Sequence, residues 1–246
     1  MTFPLRQYSA LCDALLCTLL CTLLYSSAAL AQIGTRFPSE RKVIKDPVTG
    51  ARLTFLTTGA HGDSKIYPTH TQWTADGRWV LFRSERVKGE ALAVNARSGD
   101  IVQVTEGGYD GMLNAARKAM KLYFLRKEPR VEVVEVDLKA LFADVYARRI
   151  KPAAHYQRIA GTIPAAMEAT GDTALDADEQ WLYFRVGKQE AARHLKPGAK
   201  VEDNFGPRKM GAGPGGIARM NLKTGDIAHM VSVPFQVGHV QANLWN

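Results

Sequence analysis

Six histidines carry most of the chemistry that can be read from this sequence: His61, His70, His155, His194, His229 and His239. No pair stands at H-x-x-x-H or H-x-E spacing, so local sequence defines no metal site. No G-x-S-x-G elbow, phosphate-binding loop or dinucleotide fingerprint is present. The glycine-rich run Gly211-Ala-Gly213-Pro-Gly215-Gly216 contains a proline and lacks the lysine of a phosphate cradle, so it reads as a loop. Two histidines stand out by position. His239 lies in Pro234-Phe-Gln-Val-Gly238-His239, and His70 lies in Tyr67-Pro-Thr-His70-Thr-Gln-Trp73. Each precedes or opens a strand-like segment, where a neutral imidazole could act as a general base. The plainer alternative is a histidine that only hydrogen-bonds there. His61 and His194 read as loop residues, and His229 as a structural residue in a strand.

The elements that must position these residues repeat along the chain. Trp73-Thr-Ala-Asp76-Gly77-Arg-Trp79-Val-Leu-Phe82 aligns with Lys121-Leu-Tyr123-Phe124 and with Leu175-Asp176-Ala-Asp178-Glu-Gln-Trp181-Leu-Tyr183-Phe184. Asp-Gly or Asp-Glu supplies a tight turn, and the aromatic-rich run alternates as a strand does. A second turn recurs in Asn95-Ala-Arg-Ser-Gly99-Asp100 and Asn221-Leu-Lys-Thr-Gly225-Asp226, whose glycines can take positive φ. Each copy is an antiparallel meander, and the spacing from Phe82 to Phe124 suits a β-propeller blade. Asp46-Pro-Val-Thr-Gly50 carries the same turn in a lone outer hairpin, as in propellers closed by strands from both termini. Two insertions are expected. Lys139 to Tyr156 contains an amphipathic helix with Leu141, Phe142, Val145 and Tyr146 on one face, and Gln189 to Gly216 forms a loop. The predicted fold is all-β, a β-propeller with about three and a half blades. A closed ring takes about four to eight blades, so the sequence reads as part of a longer propeller.

The first 31 residues read as a signal peptide, with Arg6, an apolar run from Ala14 to Tyr25 and small residues up to Ala31. The apolar run is too short to span a bilayer. All three cysteines (Cys12, Cys17 and Cys21) lie in this segment. The mature chain, residues 32–246, is therefore expected to be a thiol-free, soluble periplasmic or secreted domain without disulfides. Its formal charge of +8 is unchanged by cleavage, because Arg6 and Asp13 leave together. An export signal and the lack of a basic run interleaved with aromatics disfavour nucleic acid. An exported basic propeller suits an acidic oligosaccharide better, although scattered surface lysines and arginines would give the same charge.

The segments Asp46-Pro-Val-Thr-Gly50-Ala-Arg-Leu-Thr, Trp73 to Phe82, Arg219-Met-Asn-Leu-Lys-Thr-Gly225 and Val237-Gly238-His239 resemble the oligogalacturonate lyase family. The blade motifs are also similar to TolB-like periplasmic propellers. The lyase resemblance implies a seven-bladed propeller that degrades pectin-derived oligogalacturonides by β-elimination. It implies a divalent metal, manganese in the family, held by histidines that would follow residue 246. It implies His239 as the base, with an arginine assisting. Arg208 and Arg219 are the candidates, by proximity in sequence. The competing reading is a non-catalytic propeller that binds a protein or sugar.

Overall fold

The computed structural model describes residues 32–203 and 211–245. The expected signal peptide with its three cysteines, and the candidate Arg208, lie outside the described residues. The following concerns the unit from Ile33 onward.

The chain enters through β1 (Arg36–Phe37) and makes a hairpin of β2 (Lys42–Lys45) and β3 (Arg52–Phe55). The first blade contains β4 (Ser64–Lys65), β5 (Trp79–Arg83), β6 (Ala91–Asn95) and β7 (Ile101–Gln103), and β1 adds a fifth strand against β7. The second contains β8 (Asp110–Ala115), β9 (Lys121–Arg126), β10 (Glu132–Asp137) and β11 (Gln157–Thr162). The third contains β12 (Thr173–Leu175), β13 (Trp181–Val186), β14 (Gly215–Asn221) and β15 (Ile227–Val233). Every pairing is antiparallel, and each blade is a meander. The chain is thus a β-propeller segment of three blades and an outer hairpin, as the repeats predict.

The recurring turns form as their residues dictate. Gly50, Gly99 and Gly225 each adopt a φ between 72° and 80°. Each donates its N–H to the carbonyl of the Asp or Asn four residues earlier. The side chains of Asp46, Asn95 and Asn221 accept the backbone N–H groups two and three residues later. This Asx turn satisfies donors that a tight connection would otherwise leave open.

The blades stack through apolar faces. In each second strand, residues alternate between the preceding and the following blade. Leu81 and Trp79 meet Leu122, Phe124, Val134 and Val136 between the first two blades. Tyr123, Leu125 and Val133 meet Leu182, Phe184, Ala218 and Met220 between the second and third. Phe82 packs on the other side of the first blade, with Leu92, Val94, Ile101 and Leu56. Phe82, Phe124 and Phe184 therefore all face backward, and the residue after each faces forward.

The first insertion is helix α1 (Leu138–Tyr146), capped by Asp137, whose carboxylate accepts the Ala140 N–H at 2.9 Å. It buries Leu138, Leu141, Phe142 and Val145, and the Phe142 ring stacks on Trp79 at 4.0 Å. Tyr146 lies outside this buried face, half exposed, and donates its hydroxyl to Asp100. The second insertion begins with the short helix α2 (Lys188–Arg193).

The entry segment is fastened by a charge network. The Arg86 guanidinium is almost fully buried and bonds to Glu40, Asp63 and Ser84. Glu40 also accepts the N–H groups of Thr58 and Gly59 at 2.8 and 2.7 Å. Burial opposes ionisation of Glu40, but the bonds from Arg86 and the two N–H groups outweigh it and hold its pKa at about 2.

Two outcomes follow from this packing. Phe124 is fully buried, so Phe124→Ala should cost about 3–5 kcal/mol in urea unfolding. Glu40 has a depressed pKa in the folded state. Its stabilisation is present above the unfolded value of 4.5 and lost as pH falls toward about 2. The stability gap between wild type and Glu40→Gln should shrink over that interval, and a constant gap would show that the network does not titrate.

Candidate functional site

Four inner segments converge at the centre of the fan. They are residues 69–73 of the first blade, β8, β12 and the segment 237–245. Trp73 bridges to Val80, and Gln72 accepts the Leu81 N–H, so residues 72–73 act as the innermost strand of their blade. The β8 and β12 segments approach closely where Gly111 meets Gly171. A side chain at either glycine would collide with the other backbone at 2.2–2.5 Å. A small recess of about 50 Å³ opens between the four segments. It is lined by Thr69, His70 and Thr71, by Asn114, by Ala174, and by Gln241 and Ala242.

His70 reaches across this recess. Its Nε2 lies 2.7 Å from the Thr173 carbonyl of the third blade. A carbonyl only accepts, so Nε2 carries the proton and Nδ1 is left as an acceptor beside the Thr69 hydroxyl. Asn114 donates to the Thr173 hydroxyl at 2.8 Å, so polar bonds join three blades at one point. His70 is largely engaged in holding the channel together.

His239 is exposed and sits on Tyr67, ring to ring, at 5.0 Å and 14°. His70 meets the same Tyr67 edge-on at 5.9 Å. The two histidines singled out from opposite ends of the sequence therefore share one tyrosine. Tyr67 is held by its neighbours: Ile66 is fully buried, and the Tyr67 carbonyl accepts from the His70 N–H and the Gln72 amide. His239 has φ of +52°, a left-handed conformation. For a residue with a side chain this costs about 1–2 kcal/mol. Gly238 has open space where a side chain would be and a φ outside that region, so the chain turns at the histidine itself.

Arg185, on β13, holds the approach to that turn. It donates to the Val237 carbonyl at 3.0 Å and to the Thr170 hydroxyl at 3.0 Å, and it pairs with Asp172 at 3.4 Å. In the first blade Arg83 similarly donates to the Gly111 carbonyl at 3.1 Å. Both arginines directly follow the backward-facing phenylalanine of their blade and so point to the next one. The signal was present in the sequence as Phe82-Arg83 and Phe184-Arg185. A second recess, of about 140 Å³, lies beside Val237 and is lined in part by Arg185, Gly187 and Lys188.

Arg219 is placed elsewhere. It stands opposite Tyr183 in the β13–β14 pairing, with its guanidinium 4.0 Å over the Trp181 ring and 3.5 Å from the Tyr183 hydroxyl. No hydrogen bond or ring contact joins it to His239 among the described residues. His229, on β15, stacks on His194 at 3.8 Å, and His194 bonds to Glu190 at 3.0 Å. Burial first, and the adjacent His194 second, push the His229 pKa down. Among the described residues no group of three or more His, Cys, Asp or Glu side chains is arranged to hold a metal ion.

No protein-family model and no curated protein sequence matches the chain. Solved structures do. An oligogalacturonate lyase in complex with manganese superposes with a TM-score of 0.62 and 19% identity, over 85% of this chain and 51% of that one. The oligogalacturonate lyase of Vibrio parahaemolyticus gives 0.62 and 16%, over 86% and 51%. TolB from Acinetobacter baumannii matches at 0.41 and 12%, over 81% and 39%, too distantly to carry an argument. The chain spans about half the length of the two lyases, and at these identities it shares their fold.

Proposed function

We propose that this chain is the propeller segment of an exported lyase of the oligogalacturonate type. Its substrate would be an acidic oligosaccharide, and His239 would serve as the base. The observation that carries this reading is the placement of His239. It is exposed, turned out at a blade entry and stacked on Tyr67 beside the central recess.

The chemistry is β-elimination. An imidazole nitrogen of His239 accepts the proton from the carbon that bears the uronate carboxylate. The electron pair left behind forms a carbon–carbon double bond, and the glycosidic oxygen leaves from the neighbouring carbon. Cationic groups lower the barrier by stabilising the charge that develops on the carboxylate. Lys188 lies beside Val237 and could serve electrostatically. Of the two arginines first considered, Arg208 is outside the described residues and Arg219 is stacked on Trp181. The described residues offer no three-donor group for the manganese that the lyase resemblance implies, so no step is assigned to it. Export to the periplasm or beyond rests on the sequence of residues 1–31.

A second reading is a non-catalytic propeller that binds a sugar or protein at the same mouth. The bonds among His70, Asn114 and Thr173 favour it, because they commit polar groups of the inner segments to holding the blades together. Digalacturonate with manganese separates the two readings. Under the lyase reading, ultraviolet absorbance of an unsaturated uronate grows with time, and His239→Ala slows it by about 10²–10⁴-fold. A His239→Ala protein as fast as wild type would remove His239 from the mechanism. Calorimetric binding of digalacturonate without any product would establish the second reading.

A further inference from the structure

We propose that Arg185 and Tyr67 are positioning residues for His239. Arg185 fixes the backbone just before it, and Tyr67 fixes the plane of its ring. The geometry at His239 demands such a device. A left-handed conformation in an exposed residue beside an unconstrained glycine reverts easily unless its surroundings impose it. Two contacts impose it. The first is the bond from Arg185 to the Val237 carbonyl, two residues before the histidine. The second is the near-parallel stack of His239 on Tyr67.

The fork of Arg185 suits this task. One nitrogen reaches Val237, another the Thr170 hydroxyl, and a third pairs with Asp172. Three nitrogens of one planar group are thereby used, and the guanidinium cannot rotate without breaking a bond. Thr170 and Asp172 precede β12, so the third blade's entry loop and the next segment are tied through one side chain. A lysine could offer its charge to Val237 but could not hold all three partners in a plane. Arg83 is the internal comparison. It makes the same kind of reach, to the Gly111 carbonyl, in a blade that carries no such histidine at the position it holds.

The inference concerns the conformation of His239, and its catalytic consequence rests on the lyase reading. Proton–carbon correlation spectra of the histidine rings test the conformation in the full chain, with His239 assigned by its loss in His239→Gln. In wild type its ring protons should lie upfield of a free histidine, because the Tyr67 ring shields them. Arg185→Gln and Tyr67→Leu should both move them toward free-histidine positions. Arg185→Lys should fall between, and Arg83→Gln should leave them in place. Thr170→Val removes one partner of the fork while keeping the guanidinium, and should give a smaller shift in the same direction even if Arg185→Gln does not fold. Unchanged His239 signals in Arg185→Gln, or in Thr170→Val if Arg185→Gln does not fold, would overturn the proposal, as would an equal movement in Arg83→Gln. If the protein turns over digalacturonate, Arg185→Gln should lower kcat at least tenfold with KM little changed, and Arg185→Lys should recover part of it. A wild-type protein without turnover defeats the lyase reading alone, and the ring spectra still decide the positioning claim.

Discussion

The middle strands β6, β9 and β10 of the first two blades are buried on both faces, and the two-residue period of a strand then assigns each side chain to one blade interface or the next. A slip of one residue would exchange the two sets completely. In β5, β9 and β13 the same phase is kept. Phe82, Phe124 and Phe184 face the preceding layer, and Leu81, Tyr123 and Tyr183 face the following one. This constraint also places the polar residues. The position after each phenylalanine is obliged to face forward at the end of the strand nearest the channel entry. Arginine there reaches the next blade's backbone, as Arg83 and Arg185 do. The second blade has Leu125 at that position, and it is buried in the apolar interface with the third. The same slot thus serves either as packing or as a latch, according to one residue.

The inner segments obey a different rule. They are short, and backbone approach there leaves room for glycine only, as where Gly111 meets Gly171. Their remaining polar groups must bond across the channel or to water. His70, Asn114 and Thr173 do the first, at 2.7 and 2.8 Å. His239 is free of that role: it is exposed, and its ring stacks on Tyr67. One histidine is consumed by the architecture and the other is presented to solvent, although the sequence offers both in similar positions.

The legible parts of the fold were those with local causes. The Asx-Gly turns satisfy their own donors, the aromatic runs alternate, and the α1 face repeats at helical spacing, so each could be read without knowing its neighbours. β11 was missed because Gln157–Thr162 leaves Ile159 half exposed and shows no clear alternation. β1 was missed because two residues carry no pattern at all, and its place against β7 is a tertiary fact. The blade-entry positions of His239 and His70 are legible in the sequence, but the contacts they share with Tyr67, and the reach of Arg185 to Val237, are not. The importance of Tyr67 and Arg185 lies in contacts with His239 and Val237, which are distant from them in sequence. Arg219 illustrates the converse error in reasoning by proximity. It is near His239 in the chain, yet strand phase and strand position put it over Trp181.

Phase also bears on how the net charge of +8 should be understood. Part of the basic charge is already committed to ion pairs within the chain. Arg86 is locked between Glu40 and Asp63, Arg126 pairs with Glu132, and Arg158 and Lys121 both neutralise Glu135. Burial raises the cost of the Glu135 charge, and the bonds from Arg158 and Lys121 more than offset it, so its pKa falls. Cations neutralised in this way offer little attraction to a ligand. Net charge alone is therefore a poor guide to an acidic partner. Near the segment that presents His239, Arg185 is committed in the same way, to Asp172, and Lys188 lines the recess beside Val237. If an acidic sugar binds as proposed, such local charges and not the total of +8 would have to hold it.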